Sequence, residues 1–509
     1  MKTLDERRYD EIPYPSYAYA HTHPDRMFVI ARLFGVAAAH PTTARVLEIG
    51  CGEGGNALPV AMYLPGSEVV GIDVSGESVA RGQARAAALG VANLHLRHLD
   101  IRDVGPEFGT FDYIVAHGVF SWVGDEVRAA ILEKCRELLR PNGVAFISYN
   151  ALPGWHLHHV ARDAMRVFAA QISDPREQVR AGMDFVRRLS EMAKAGDTAY
   201  AEVLEQSLRI MEEFGEEYAY HEFLSPDNAA FSLRQFVDLA RAHNLGYLGD
   251  AELGDMLPTR FPASAQEVLG RVARDQISSE MYMDAIRCQT FRRTLLVHES
   301  VELDRTISGD RLDGLRATWK GRSAIDGVFT AKDGVELQVA EDAARAALQQ
   351  IAETSPWSVA WADLAPQDDE ERRAVAGALV HAFSLGIIEL LPREPLVGPV
   401  AAQRPRTSRL VLSQARGEAK YATTRRHETC GLDRFNRAIL SRLDGTFTVP
   451  DLLDALCADA AEGRLTVKVN GETVDDPGSI RLFVEAHLEP RLAVLHAQGL
   501  IDGDGPEHP

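Results

Sequence analysis

Cysteine is scarce in this chain: there are five in 509 residues, and no two form a C-x-x-C pair. That excludes a disulfide-stapled scaffold and a thiolate zinc ribbon, and it points to a reducing, cytoplasmic setting. Long apolar runs are missing too. No stretch reaches the ~18 consecutive apolar residues of a membrane-spanning helix, so no membrane partner is expected. The opening Met1-Lys2-Thr3-Leu4-Asp5-Glu6-Arg7-Arg8 has no apolar core, so no secretory leader is expected. Positive charge is in deficit, with 54 Lys and Arg against 74 Asp and Glu, a net charge of -20. A broad nucleic-acid surface is normally basic, which disfavours nucleic acid as a partner and leaves a basic protein or an amine compatible. The hydrophobic share of 46% is ordinary for globular chains, and the length suits two or three domains.

The informative residues come early. Val46, Leu47 and Ile49 suit a buried parallel strand, and Gly50-Cys51-Gly52-Glu53-Gly54-Gly55-Asn56 follows. Such glycines let the backbone turn tightly and let a ligand lie where a Cβ would collide. Alone the turn specifies no cofactor, because many nucleotide-binding folds use one. A second strand, Glu68-Val69-Val70-Gly71-Ile72-Asp73, ends in a carboxylate with Val74 beside it. In a doubly wound sheet that carboxylate sits next to the glycine turn and can accept both ribose hydroxyls, as it would in a dinucleotide enzyme. A third strand over 93–97 leads to Asp100 and Ile101, an acceptor for an exocyclic amine and an apolar cover for a purine. Phe111-Asp112-Tyr113-Ile114-Val115-Ala116 reads as a fourth strand. His117 and Gly118 leave it at the carboxyl edge, where ligands of such sheets bind. Residues 138–143 read as a helix end and turn, and 144–149 as a fifth strand.

In this order the motifs resemble class I S-adenosylmethionine (SAM) methyltransferases. The matching pieces are the glycine turn, Asp73, Asp100-Ile101, 112–119 and Arg140-Pro141-Asn142-Gly143. The resemblance implies SAM as cofactor and a Rossmann-like α/β fold with a seven-stranded sheet. It implies a cofactor site of Glu48, Gly50, Cys51, Gly52, Gly54, Asn56, Asp73, Val74, Asp100, Ile101, His117 and Gly118. Glu48 is then a carboxylate near the cofactor's ammonium, a charge match that a dinucleotide does not request. Cys51 reads as packing in that loop rather than as a nucleophile.

The remaining chain supplies covers and walls. Residues 9–24 are rich in tyrosine, proline and histidine, and read either as a packed lead-in or as a lid in which Tyr14 and Tyr17 offer stacking area. Trp122, Asn150 and Trp155 leave the fourth and fifth strands at the same edge and can wall or orient a substrate; Tyr149 offers a hydroxyl there. His156, His158, His159 and Asp163 have helical ligand spacing, but no second cluster supports them, so no metal is expected. Residues 156–224 read as a helical insertion over the active face, ending near His221-Glu222, which could supply a base and its orienter. A helix over 232–243 and late strands at 244–249 and 291–297 would complete the sheet, so the catalytic domain is expected to span 1–155 and 225–298. Beyond it, 299–400 and 431–509 read as two winged-helix-like units joined by a basic linker over 401–430, with a hairpin turning at Asn470-Gly471. Such units bind nucleic acid, bind protein, or dimerise, so a homodimer is one expected state.

Over about residues 9 to 300 the chain resembles more closely the bacterial methyltransferases that bear a methyltransferase regulatory domain. The pieces that carry this are 9–16, Thr22-His23-Pro24, 116–122, Ser148-Tyr149-Asn150, Pro153-Gly154-Trp155 and His221-Glu222. That family includes protein-lysine methyltransferases of outer-membrane proteins. The resemblance implies transfer of a methyl group to a nucleophilic acceptor, a lysine amine first among them. A lysine, with a reference pKa of about 10.4, must lose its proton before it can attack. His117, Tyr149 and His221 are the candidate catalytic residues, with Tyr14, Tyr17, Trp122, Asn150, Trp155 and Glu222 on the substrate side. A small-molecule methyltransferase and a SAM-responsive DNA-binding regulator are the competing readings.

Overall fold

The computed structural model describes residues 14, 16–196, 198–394, 403–469 and 472–501. The expected segment 9–13, Pro15 and the Asn470-Gly471 turn lie outside the described residues. Eight strands form the main sheet: β1 Arg45–Ile49, β2 Glu68–Asp73, β3 Leu94–His98, β4 Phe111–Ala116, β5 Leu139–Ala151, β6 Ala230–Phe231, β7 Leu245–Asp250 and β8 Phe291–His298. Their order is β3-β2-β1-β4-β5-β8-β7, with the two-residue β6 beside the end of β5. The first five are parallel, and β8 runs antiparallel to both β5 and β7. The order reverses between β1 and β4, which opens a crevice at the carboxyl ends of those strands.

Side chains alternate across the pleat, so each strand feeds two cores. Val46, Tyr113 and Phe146 pack on one face under helices that include Pro24–Leu33 and Ala57–Tyr63. Leu47, Ile114, Ile147 and Tyr149 pack on the other with Ile131 and Phe236. The expected turn at Arg140-Pro141-Asn142-Gly143 is instead part of β5. It bulges out, since Phe111 pairs with Leu139 and Tyr113 next pairs with Val144. Ser232 caps helix Leu233–Ala242 in a reciprocal capping box with Gln235, which fixes where the chain re-enters the sheet.

Helices Trp155–Ala169, Pro175–Ala193 and Thr198–Phe214 form a bundle with its own core around Met165, Val186, Leu204 and Met211. After β8, strands Arg316–Trp319, Ser358–Ala360 and Ile388–Leu391 form a small antiparallel sheet with helices Asp342–Thr354 and Asp369–Ser384. Its core is continuous with that of the large sheet. The stretch expected as a basic linker is folded: it carries helix Arg409–Arg416 and a hairpin of Tyr421–Thr423 and Thr429–Gly431. Its arginines are charged residues of an amphipathic element rather than a tether: Leu410 and Val411 of that helix are buried. A separate core links these to helices Val449–Ala461 and Pro477–Ala497. Among the described residues no helix is long and apolar enough to cross a membrane.

Candidate active site

Backbone geometry makes the glycine turn. Gly50, Gly52 and Gly54 all have positive φ, and a Cβ on Gly50 would lie 2.4 Å from Cγ2 of Val119. Gly50 and Gly118, at the ends of neighbouring strands, are exposed, and a Cβ on Gly118 would meet nothing within 4 Å. One Asp73 oxygen accepts from the Gly52 N–H and the other from the Ser75 N–H, each at 2.8 Å, which pins the carboxylate beside the turn. Val74 is half-buried next to it. Cys51 is buried, and burial pushes its thiol well above the ordinary range, so it packs rather than attacks. Asp100 accepts from the Arg102 backbone N–H and guanidinium at 2.7 to 3.0 Å, which holds it ionised; a purine amine there would share it with Arg102. Ile101 is buried beneath.

Glu48 points into the interior, only 6% exposed. Burial pushes its pKa up to about 8, against the Asn56 amide N–H, which donates to it at 3.1 Å, and with the charge of Asp73. Asn56 is buried as well, and its Oδ1 accepts from the Tyr19 N–H at 3.0 Å and His427 Nε2 at 2.7 Å, and meets the Thr22 hydroxyl at 2.9 Å, which shares its one proton with the Tyr19 carbonyl at 2.8 Å. The last comes from the C-terminal hairpin.

The strap before helix Pro24–Leu33 lies over this turn. The Gly55 N–H donates to Ser16 Oγ at 2.8 Å. The Tyr19 ring lies 4.0 Å from that of His117. Tyr17 meets Tyr421 of the C-terminal hairpin edge-on at 5.2 Å, and Tyr14, 39% exposed, meets His221 at 5.4 Å. His117 contacts Ser148 Oγ at 3.0 Å, and that oxygen also accepts from the Gly118 N–H. Burial, then the charges of His21 and Arg293, lower its pKa to about 3. It is a neutral ring at physiological pH, suited to position a neighbour and unsuited to carry a proton.

Tyr149 is a correction. Its neighbours Ser148 and Asn150 face one side of β5, so the pleat turns Tyr149 to the other. It is 1% exposed, stacks on Phe236 at 4.1 Å, and its hydroxyl meets Thr294 Oγ1 at 3.1 Å. It is a core residue, walled off from the cleft. Asn150 is also buried; its backbone N–H donates to Ser121 Oγ, while its Nδ2 has no hydrogen-bond partner. Trp122 and Trp155 meet edge-on at 6.2 Å. Trp155 stacks on His158, meets His159 edge-on at 6.4 Å and donates through Nε1 to Asn228 Oδ1, so these two histidines pack on its ring, while His156 is exposed.

The end of the helical insertion completes the cleft. Tyr220–Leu224 is a π-helical turn, closed by the Ser225 N–H donating to the Tyr220 carbonyl at 3.2 Å. Such turns are costly and recur at functional sites. Buried Arg162 braces it by donating to the carbonyls of Glu222, at 3.0 Å, and Ser225. Glu222 is half-buried and keeps some solvent access. Burial pushes its carboxyl up to about 8, against the charge of Arg162. Burial, with Glu48 and Glu222 contributing, also raises the Tyr19 hydroxyl. Tyr19, Ser148, Arg162 and His427 were not expected here. Tyr19 shares the tyrosine-rich stretch that suggested a lid, and Ser148 shares the Ser148-Tyr149-Asn150 motif; Arg162 and His427 carry no local pattern that marks them.

The residues around the turn fit SAM: an exposed glycine edge, a pinned carboxylate for a ribose, a buried carboxylate for an ammonium, and a neutral imidazole that does not repel a sulfonium. Comparisons with known proteins agree in order along the chain. Residues 47–145 match a methyltransferase domain, 215–298 a predicted methyltransferase regulatory domain, and 403–500 a domain described as PKMT, C-terminal winged helix domain. The Rickettsia prowazekii protein RP789 is 29% identical, covering 98% of this chain and 94% of its own. RP028 of the same organism is 34% identical over 47% of this chain and 96% of its own. The structure of PKMT2 from Rickettsia typhi in complex with AdoHcy superposes with a TM-score of 0.81 at 26% identity, covering 96% of this chain and all 100% of that one.

Proposed function

We infer function from family and site together: the chain belongs to the protein-lysine methyltransferase (PKMT) family and is a SAM-dependent enzyme, and we propose that its acceptor is the side-chain amine of a lysine on another protein. SAM, when bound, supplies a methyl group on a cationic sulfur, so transfer to an amine needs alignment and a neutral nitrogen more than acid catalysis. Gly50 and Gly52 would lie against the cofactor, Asp73 would accept from its ribose, and Glu48 would meet its ammonium. Neutral His117, held by Ser148 and faced by Tyr19, orients what lies at the end of β4. The aromatic faces of Tyr14, Tyr17, Trp122 and Trp155 suit an incoming ammonium by cation–π attraction and keep water out. We place the reaction in the cytoplasm, a reading supported by five cysteines that are all free thiols.

One observation carries the acceptor: the half-buried Glu222 carboxyl stands on a π turn braced by Arg162, where burial pushes it up to about 8. A lysine ammonium that enters draws Glu222 into its ionised form. The proton then moves from the amine nitrogen to a Glu222 oxygen, which returns it to solvent, leaving the nitrogen lone pair to attack. The test pairs labelled SAM with cell lysate. Label is expected in protein, recovered as methyllysine after hydrolysis. Glu222→Gln should lower kcat by about a hundred- to ten-thousand-fold with the AdoHcy Kd unchanged. Label that enters only small solutes would reassign the acceptor, and an unaltered kcat would remove Glu222 from the proton path.

A further inference from the structure

The C-terminal hairpin reaches the cofactor turn through one side chain. His427 lies in the turn between strands Tyr421–Thr423 and Thr429–Gly431, where the Thr424 N–H donates to the Glu428 carbonyl and the His427 N–H to the Thr424 carbonyl. Its φ of 60° is in the left-handed region that non-glycine residues seldom occupy, and its ring is 1% exposed. A histidine held there aims its ring into the protein, in a backbone conformation that a glycine would adopt at lower cost.

The hydrogen-bond logic defines what the ring does. Asn56 Nδ2 donates to Glu48, so its other end, Oδ1, accepts from the Tyr19 N–H and from His427, with the Thr22 hydroxyl shared between it and the Tyr19 carbonyl. His427 must therefore carry its proton on Nε2. Its Nδ1 is buried without a hydrogen-bond partner, as the unprotonated nitrogen of that tautomer would be. Without these donors the Asn56 amide could turn over and present an oxygen to Glu48, where a second acceptor disfavours the ionised carboxylate. The hairpin does not depend on His427 for its place. Glu428 pairs with Lys320 at 2.6 Å, Tyr421 packs on Tyr17, and Ser408 Oγ meets Tyr63 OH at 2.8 Å.

We propose that His427 is a positioning residue of the cofactor site: donating to Asn56, it keeps the amide N–H on Glu48, and so makes the docked winged-helix hairpin part of the site that grips the amino-acid end of SAM. The proposal rests on the reading of Glu48 as the partner of the cofactor's ammonium. Two ligands separate positioning from scaffolding in the full-length protein. AdoHcy carries the ammonium; methylthioadenosine has the same nucleoside and lacks it. His427→Gly suits the backbone and removes the donor, and should weaken AdoHcy about tenfold, the order of one lost hydrogen bond, while leaving the methylthioadenosine Kd unchanged. His427→Gln, which places an N–H at similar reach, should restore AdoHcy binding to within about threefold. Equal loss on both ligands, no loss on either, or no rescue by Gln overturns the proposal. Glu48→Gln, run alongside, tells the two readings apart: it should also weaken AdoHcy selectively, and if it does not, the reading of Glu48 has failed and the proposal falls with it.

Discussion

Proton release on cofactor binding is the sharpest consequence of the site. With a pKa of about 8, Glu48 is mainly protonated at pH 7 in the free protein. A cationic ligand at this carboxyl prefers the ionised form. At pH 7 only about a tenth of the protein is ionised there, so binding gives up about 1.4 kcal/mol, or tenfold in Kd, relative to pH well above 8. Each pH unit below 7 costs about a further factor of ten, and binding at pH 7 should release about 0.9 proton. Titration calorimetry with AdoHcy in two buffers of different ionisation enthalpy, between pH 6 and 8, reads both quantities. Glu48→Gln should flatten the pH dependence and abolish the proton release. A Kd independent of pH with no proton released in the wild-type protein would refute the reasoning. The same shift has a sign for folding. The folded chain holds this proton to higher pH than the unfolded one, where the reference is 4.5, so the contribution to stability is full below 4.5 and is lost as pH rises through about 8.

Two further predictions address the strap and the core. Gly55→Ala would put a Cβ 2.4 Å from the Ser16 carbonyl oxygen. Overpacking of about 1–3 kcal/mol should lift the strap that carries Tyr17 and Tyr19, seen as faster proteolysis between residues 14 and 23 and a lower kcat; unchanged protection would show that the strap adapts. Tyr149→Phe loses only the contact with Thr294, so unfolding should be easier by about 1 kcal/mol while kcat and the AdoHcy Kd stay at wild-type values. A selective loss of kcat in that variant would return Tyr149 to the site.

What was legible in the residues was local. Glycines that must take positive φ, strands of buried aliphatics and a carboxylate at a strand end announce themselves over a dozen positions, and they place Gly50, Asp73 and β1 to β5. A tyrosine next to Asn150 reads as part of the same mouth, yet Tyr149 lies in the core because the pleat sends neighbours to opposite faces. The helix and hairpin after residue 403 were hidden by their arginines, since a charge-rich stretch looks like a tether until the apolar residues between the charges find a core. Arg162 and His427 act on groups 60 and 371 residues away, through bonds whose partners lie in other elements. Spacing within one segment holds no information about such pairs; only the fold brings them together.

The electrostatics of the cleft tie these pieces into one arrangement. Glu48 and Glu222 are both pushed up to about 8, and His117 down to about 3, all chiefly by burial. At neutral pH without ligand, these three enclosed groups are therefore mainly uncharged, which spares the fold the cost of isolated buried ions. The two ligands then bring positive charge to two different carboxyls. The cofactor's ammonium reaches Glu48, and the acceptor's reaches Glu222. Each carboxyl ionises when its own cation arrives, so specificity for cationic partners comes from a charge the protein does not carry beforehand. His117, pushed down to about 3, stays neutral and adds no repulsion to a sulfonium. Replacing either carboxyl by a permanently neutral amide should then injure one ligand and spare the other: Glu48→Gln the cofactor, Glu222→Gln the acceptor. If both variants weakened both ligands alike, the two carboxyls would be acting as one acidic patch, and the division of labour between them would be wrong.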